Sequence, residues 1–328
     1  MSTLPIAVLN EHPEWQKRLY AELGRRDLPF VELPLHDHLF DPSKRERAYS
    51  MVINRASPSA WKRDHESAIF FGQAALAYYE TTGARVVNGT GAYLLETSKA
   101  LQAMLLARLG ISTPRTLVAN HAASILAAAD QLEYPIVVKP NIGGSGAGIV
   151  RFDDRASLDA WLATRPGYGV DGVVLVQEFH PAQDGHIVRV EMLGQRHLYS
   201  VKIYPDTTDF NLCPADICQV TPGQAPPPAD TAGQSDFELC VVAAPAKKLR
   251  IERHDEAPEV VESARAIMAA AKLDVGGIEY LTSTRDGRRY FYDINALSNF
   301  VRDAEDIVGF DPTRVFVDWI VAELATAG

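Results

Sequence analysis

The stretch YPIVVKPNIGGSGAGIV, residues 134–150, decides the fold of this chain. Its β-branched run at 136–138 predicts a strand that ends on Lys139, and the apolar pair at 149–150 restarts a strand. The glycines around Ser145 let backbone N–H groups approach phosphate oxygens and let the loop close as a lid. The lysine supplies a point charge for phosphate. Strand, lysine, glycine loop and strand together indicate a nucleoside triphosphate site.

Taken alone, the same stretch fits a glycine-rich hairpin with a surface lysine about as well as it fits a nucleotide site. It is not a P-loop, because Lys139 precedes the glycines instead of following them. It is not a dinucleotide fingerprint either, because position 149 is Ile where the third glycine would stand. The rest of the chain has to decide between the two interpretations.

Length and composition limit the class of protein. The 328 residues carry a net charge of −10, which argues against nucleic acid as a main partner. No apolar run is long enough to span a membrane, and the first residues lack the pattern of a signal peptide. Three cysteines, with Cys213 and Cys218 outside any C-x-x-C spacing, favour a reducing compartment, so we expect a cytoplasmic protein. A homo-oligomer remains open.

The order of predicted elements divides the chain into parts. Residues 1–95 alternate strands and helices, which predicts a parallel sheet with helices on its faces. A single helix is expected over 96–109, ended by Gly110. Long runs from 188 onward are typical of antiparallel strands, and the polar segment 223–235 is expected to be a mobile loop.

Two acidic strands near the C-terminal end indicate a metal site. Asp293 and Asn295 are two residues apart, so they face the same side of a strand. Glu279 lies on the preceding strand, within cross-strand reach if the hairpin register is simple. Such oxygen ligands suit Mg²⁺, which uses few carboxylates together with nucleotide phosphates. The plainer alternative is a solvated, charged strand face, which the apolar neighbours of these residues disfavour.

The run VLVQEFH at 174–180 gives a third signal. An apolar strand that leads into Gln177, Glu178 and Phe179 can offer backbone hydrogen bonds and apolar walls to adenine. On its own, a plain buried strand is the better interpretation.

Together these signals resemble the ATP-grasp superfamily, most closely its RimK-like α-L-glutamate ligase (carboxylate–amine ligase) branch. The motifs that carry the resemblance are Lys99 before GISTPRT, Lys139 in VVKP, the GGSGAG loop, VQEF, Arg189 in VRVEMLG, and YDIN. The resemblance implies an α/β and α+β protein in three parts. These are a parallel-sheet pre-ATP-grasp domain over 1–95, a small lobe with the glycine-rich lid over 96–172, and a large lobe with the metal site over 173–328.

The resemblance also implies roles for single residues. ATP would be bound by Lys99, Lys139, Gly143, Gly144, Ser145, Gly146, Gln177, Glu178 and Phe179, with Asp184 or His186 near the ribose. Arg189 and Lys202 would be catalytic, stabilising the transferred phosphoryl group and the acyl phosphate. Mg²⁺, with Mn²⁺ as a second candidate, would be held by Glu279, Asp293 and Asn295. The carboxylate and amine substrates would contact Asn211, Ser298, Asn299 and Arg302.

The implied function is an ATP-dependent ligase that joins a carboxylic acid to an amine, an amino acid or peptide, through an acyl phosphate. Two alternatives stay open: the same fold forming a thioester, and a non-catalytic ATP-binding regulatory module. The chain departs from the branch where Glu279 and Asp293 exchange the usual Asp and Glu, and where Ile187 replaces an Asp before Arg189. The identity of the acid and the amine is therefore not assigned from the sequence.

Overall fold

The computed structural model describes residues 4–144, 146–205, 249–301 and 303–326, and within these ranges the strands form three sheets. Several predicted features lie outside the described residues: Ser145, Asn211, Cys213, Cys218, Arg302 and the segment 223–235.

The first sheet is parallel, with the strand order β2-β1-β3-β4. Its elements in chain order are β1 (Ile6–Asn10), α1 (Lys17–Arg25), β2 (Phe30–Pro34), β3 (Met51–Arg55), α2 (Glu66–Thr81), β4 (Arg85–Val87) and α3 (Thr90–Glu96). Every residue of β1 and β3 is buried, because α1 packs on one face of the sheet and α2 on the other. The parallel sheet expected in this part of the chain is confirmed.

The second sheet is antiparallel, with the strand order β5-β8-β6-β7. Helix α4 (Lys99–Arg108) comes first in this part of the chain. It is followed by β5 (Thr116–Ala119), α5 (Ala122–Ala129), β6 (Ile136–Pro140), β7 (Val150–Phe152), α6 (Arg155–Ala163) and β8 (Val174–Glu178). Side chains of α5 and α6 share one core cluster with β6 and β8. The glycine loop therefore leaves from the end of a well-supported strand, β6.

The helix expected over 96–109 is present but begins later, and the helix that precedes it was not expected. Helix α3 ends at Glu96 and α4 begins at Lys99. Between them Ser98 adopts an extended conformation, and its hydroxyl accepts a hydrogen bond from the backbone N–H of Leu101 at 3.3 Å. Serine competes for backbone donors at a helix start, so it caps α4 instead of continuing α3. The break places Lys99 at the first turn of its own helix.

The third sheet is antiparallel, with the strand order β11-β10-β9-β12-β13. Its elements are β9 (Ile187–Leu193), β10 (Arg196–Tyr204), β11 (Arg250–His254), α7 (Pro258–Ala271), β12 (Val275–Thr282), β13 (Arg289–Asn295), α8 (Ala304–Val308) and α9 (Pro312–Thr326). Helix α7 buries its apolar face against this sheet. No helix in the described ranges is both long and apolar enough to cross a membrane.

Two of the features that join the first sheet to the third are a shared core cluster and a buried amide. Helix α9 packs Phe316, Val317 and Ile320 into the same cluster as α1 and β1. Buried Asn88, just after β4, forms hydrogen bonds with β12 and its flanks. Its side-chain amide donates to the carbonyl of Val275 at 2.7 Å and to that of Ala296, and its carbonyl oxygen accepts from the N–H groups of Asp274 and Val275. All the hydrogen-bonding capacity of this amide is used between the two sheets.

Candidate functional site

One cavity of about 830 Å³ collects residues from all three sheets, and we call it the central cavity. Strands β6 and β8 supply one wall, strands β9, β12 and β13 another, and the loops after β1 and β3 a third. Of the sequence-predicted residues, its lining includes Lys99, Lys139, Gly143, Gly144, Gly146, Gln177, Glu178, Phe179, Arg189, Glu279, Asp293, Asn295 and Asn299. The fold thus brings most of the predicted site into one space.

Lys139 presents an unpaired charge to the central cavity. It is the fourth residue of β6, is only 6% exposed, and finds no hydrogen-bond acceptor among the described residues. Burial lowers the pKa of its ammonium group to about 7, and the neighbouring charge of Lys99 adds to the effect. A buried cation without an internal partner is suited to an anionic ligand.

Lys99 is held by both of the elements that flank it. Its backbone N–H donates to the carbonyl of Asn141, at the root of the glycine loop, at 3.2 Å. Its ammonium group forms an ion pair with Asp293 of β13. Burial opposes the charged form of Lys99, but Asp293 outweighs burial and raises its pKa. Lys99 therefore joins the glycine loop to the acidic strands.

The glycine loop lies against the 3₁₀ turn Ala60–Arg63 of the first part of the chain. A Cβ on Gly144 would lie 2.9 Å from the Cβ of Ser59, so glycine is required by this close approach. Lys62 donates a hydrogen bond from its ammonium group to the carbonyl of Gly144 at 2.9 Å. At the base of the loop, buried Ile142 packs with Ala60. We call these contacts the loop–turn contacts.

The residues expected around adenine line the same cavity. The side-chain amide of Gln177 donates to the hydroxyl of Thr116 at 2.7 Å, and the carboxylate of Glu178 accepts from the backbone N–H of Glu133 at 3.1 Å. The guanidinium carbon of Arg151 lies 4.5 Å from the ring centroid of Phe179. Their role in adenine binding stays a prediction.

The two residues predicted near the ribose are not part of the cavity lining. Asp184 is exposed in a short 3₁₀ turn, and His186 lies beside the ring of Tyr204, 5.2 Å between centroids. The lining contains their neighbours Gly185 and Ile187 instead. Lys202 also lies outside the lining, on β10 opposite Val188 and Glu252.

The predicted metal ligands share one face of the β12–β13 hairpin. Glu279 is directly opposite Asp293, and a register shift follows between Glu279 and Tyr280. The side chain of Asn295 reaches the same carboxylate, 3.5 Å from Nδ2 to Oε1 of Glu279. Burial raises the pKa of Glu279 despite Arg189 beside it, whereas Lys99 overcomes burial and lowers the pKa of Asp293.

These donors fit a hard cation that also takes oxygens from a bound molecule. Among the described residues no three His, Cys, Asp or Glu side chains form a cluster of their own, so the set is two carboxylates plus one amide. All three line the central cavity. Mg²⁺ is held in this way by few carboxylates and by phosphate oxygens. Holding Mg²⁺ by Glu279, Asp293 and Asn295 stays a prediction.

Arg189 lies buried between two acids of the third sheet. Its Nε donates to Glu191 at 2.6 Å and its Nη1 to Glu279 at 2.9 Å. Burial opposes its charge, but Glu191 and Glu279 outweigh burial and raise its pKa further. Its guanidinium covers Gly277, where a Cβ would lie 2.4 Å from Nη2. Arg189 is thus a fixed, permanently charged fork at the cavity wall.

The loop after β13 is held from two sides. Behind the cavity wall, the Ser298 hydroxyl accepts from Nη2 of Arg189 at 3.2 Å and donates to Glu191 at 2.9 Å. Arg55, at the end of β3, donates to the carbonyl of Ser298 at 3.0 Å and to the side chain of Asn299.

Several residues at the site had not been predicted. Glu96, at the end of α3, lines the cavity and accepts a hydrogen bond from the backbone N–H of Ala296; burial raises its pKa to about 7. Glu191 holds Arg189 by a hydrogen bond, and Gly277 leaves room for its guanidinium group. The position of Glu191, two residues after Arg189 on the same strand face, is the one signal that pointed to it.

Part of the chain matches a known family at the level of sequence. Residues 96–210 match the model of the RimK-like ATP-grasp domain. Probable alpha-L-glutamate ligase 2 of Shewanella frigidimarina is 30% identical over 137 residues, 42% of this chain and 45% of that protein. D-alanine–D-alanine ligase B of Xanthomonas campestris pv. campestris is 38% identical over 100 residues, 30% of each. This chain therefore matches less than half the length of these two relatives.

A solved structure matches nearly the whole chain. The ATP-grasp ligase PsnB in complex with its minimal precursor has a TM-score of 0.65 and 17% identity, covering 97% of this chain and 99% of that one. Likeness at this identity concerns the fold, and it extends over all three sheets. The predicted resemblance and the predicted fold class are confirmed.

Proposed function

Since this chain has the ATP-grasp fold, we propose that it is an ATP-dependent carboxylate–amine ligase. A substrate carboxylate attacks the γ-phosphorus of ATP, the bond to the β–γ bridging oxygen breaks, and ADP leaves. The amine nitrogen then attacks the carbonyl carbon of the acyl phosphate, phosphate leaves, and the nitrogen loses a proton. The observation that carries the proposal is the convergence of Lys99, Lys139 and Arg189 with Glu279 and Asp293 in one cavity beside the glycine loop.

The cations account for binding and for the transfer. Lys139 has no acceptor among the described residues, so phosphate oxygens would complete its hydrogen bonds, and Lys99 adds a second positive charge. The glycine loop excludes water above them. Arg189 is held rigidly, and a fixed guanidinium stabilises charge that develops on the transferred phosphoryl group without reorganising. Lys202, outside the described lining, is the less supported catalytic residue.

Glu279, Asp293 and Asn295 are the residues that would hold Mg²⁺, which would neutralise phosphate oxygens there. Gln177, Glu178 and Phe179 would surround adenine, since they lie on the same wall as Lys139, on the neighbouring strand β8 and directly after it. Arg55 holds Ser298 and Asn299 in the loop after β13. We assign the end of the central cavity that Arg55 and Asn299 line to the substrates and call it the substrate end.

The test is whether ADP release requires both an acid and an amine. Relatives named α-L-glutamate ligase and D-alanine–D-alanine ligase make L-glutamate, D-alanine and short peptides the first compounds to screen, in pairs. We expect amide formation with equal amounts of ADP, and a hydroxamate when hydroxylamine replaces the amine, because it traps an acyl phosphate. Asp293→Asn is the inactive control, since it removes charge from the metal site at nearly constant volume.

Three outcomes distinguish the alternatives. ADP and product that appear only with a thiol acceptor would assign the thioester reaction. ATP binding without turnover for any acid would assign the regulatory module. ADP release by wild type and Asp293→Asn alike would contradict the proposed site.

A further inference from the structure

Two opposite charges face the substrate end of the central cavity without meeting each other. Arg55 lines the cavity from the end of β3, and Glu96 lines it from the end of α3. Neither takes part in an ion pair with any described residue. A buried charge without a partner is costly, so the position of Arg55 is incomplete as it stands, and partly buried Glu96 likewise has no cation bound to it.

Arg55 is 7% exposed, and its three hydrogen bonds all go to neutral groups. Nε donates to the side-chain oxygen of Gln16 at 2.9 Å, Nη1 to the carbonyl of Ser298 at 3.0 Å, and Nη2 to Asn299. A guanidinium has five N–H groups. Two donors of Arg55 and its whole charge are therefore left without an acceptor in the described part of the chain, which suits a carboxylate.

Glu96 is the matching anion. One of its oxygens accepts from the backbone N–H of Ala296, and the nearby cation Lys99 pairs with Asp293 instead. Glu96 and Arg55 hold the same loop, since Glu96 accepts from Ala296 and Arg55 donates to Ser298 and Asn299, and both line the central cavity. The Ala296 that Glu96 holds directly follows Asn295, so Glu96 lies at the end of the cavity where phosphoryl transfer is proposed.

We propose that Arg55 and Glu96 together bind the zwitterion of a free α-amino acid, which is the amine substrate. The carboxylate lies on Arg55 and the ammonium group on Glu96. This orientation puts the α-nitrogen next to Arg189 and the acyl phosphate, and the carboxylate away from it. The inference rests on the proposed ligase function.

The experiment compares amine substrates that differ only in the carboxylate. Alanine and alaninamide, both enantiomers, and glutamate and its α-amide are offered to the wild-type protein with ATP and the acid found in the screen. We expect each free amino acid to react with a kcat/KM about ten- to a hundredfold above its amide, the size of one lost charge-assisted contact. Hydroxylamine trapping reports acyl phosphate formation in the same reactions.

Variants test whether Arg55 and Glu96 cause the preference for a free amino acid over its amide. Arg55→Gln should bring the ratio of kcat/KM for amino acid over amide close to one, and Arg55→Lys should restore part of it. Glu96→Gln should raise the KM for both members of each pair, because both carry the ammonium group. Arg253→Gln is the matched control, on a side chain that is 65% exposed, and should leave the ratio unchanged.

Failure of this inference is separable from failure of the ligase proposal. Hydroxamate formation together with equal use of acids and amides by the wild type would overturn the Arg55 and Glu96 assignment alone. No hydroxamate with any acid would overturn the ligase function itself. If Arg55→Gln does not fold, the comparison of amino acids with their amides in the wild-type protein still decides. A wild-type protein that accepts only peptides with a blocked carboxylate would contradict the binding of a zwitterionic amino acid.

Discussion

Lys139 shows at the residue scale how burial prepares a site for an anion. Its pKa lies near 7 because burial and Lys99 both disfavour its charge. Polyphosphate favours that charge, so above about pH 7 the binding of ATP should take up close to one proton, and below it none. Calorimetric titration of ATP at about pH 8.5, in buffers of different ionisation enthalpy, measures the uptake.

Lys139→Arg is the informative comparison, because a guanidinium stays charged throughout this range. The variant should still bind ATP, and its proton uptake at about pH 8.5 should disappear. If wild type and variant take up the same number of protons, another group titrates and the lowered pKa of Lys139 has no role in binding.

Arg189 is positioned by a residue that has no side chain. A Cβ at Gly277 would lie 2.4 Å from Nη2, so Gly277→Ala must displace the guanidinium from Glu191 and Glu279. We expect kcat to fall about a hundredfold or more, with a small change in the KM for ATP, because the fork acts on the transition state. Steady-state kinetics with the identified acid and amine provide the check.

Gly91→Ala serves as the control, since nothing lies within 4 Å of its added Cβ. Arg189→Lys should resemble Gly277→Ala, because a point charge cannot replace the fork. A Gly277→Ala protein with normal kcat would show that the position of Arg189 is not critical for catalysis.

Single residues were predictable from the sequence where local pattern decides them. The pairing of Glu279 with Asp293 follows from strand period and a short hairpin, and Lys139 follows from the end of an apolar strand. The contacts of Arg55 and Glu96 could not be predicted, because they come from Gln16 and from the loop at 296–299, far away along the chain. Long-range contacts of this kind leave no periodic signal.

At the scale of elements, the loop–turn contacts join the glycine loop to the turn Ala60–Arg63. Lys62→Met removes the hydrogen bond to the carbonyl of Gly144 while keeping a long apolar stem. We expect the KM for ATP to rise about two- to tenfold, the value of one hydrogen bond, and the amides of 141–149 to exchange faster with ATP bound. Hydrogen–deuterium exchange mass spectrometry and kinetics measure the two effects.

Lys17→Met is the control for this element, because Lys17 pairs only with exposed Glu14. Unchanged exchange in the loop of Lys62→Met would mean that the packing of Ser59 and Ile142 alone holds it. The sequence showed the loop and the turn as separate loops, and it started α4 at residue 96, which belongs to α3. One extended serine, Ser98, separates them, and its effect depends on a cap that propensity alone does not reveal.

At the scale of the whole molecule, Asn88 joins the first and third sheets. Asn88→Ala would leave two backbone carbonyls and two N–H groups without their partner in a buried interface. Asn88 also has φ of +50°, which disfavours alanine. We expect the free energy of unfolding to fall by more than about 3 kcal/mol, measured by urea denaturation.

Asn120→Ala, at an exposed position, should change the unfolding midpoint little. A stability of Asn88→Ala close to that of wild type would show that the other contacts between these sheets, among them the packing of α9, are sufficient to hold them together. The parallel and antiparallel sheets themselves followed from the order of elements, whereas the docking of one sheet on another did not, because it depends on single buried amides.

Ser298 links the proposed amine-binding residue Arg55 to the proposed catalytic residue Arg189. Its carbonyl is held by Arg55, and its hydroxyl by Arg189 and Glu191. A ligand that shifts Arg55 therefore shifts a direct neighbour of Arg189, and the two events share a coupling free energy. In the proposed ligase, such coupling would let an occupied acceptor site assist phosphoryl transfer, so that little ATP would be hydrolysed while no acceptor is present.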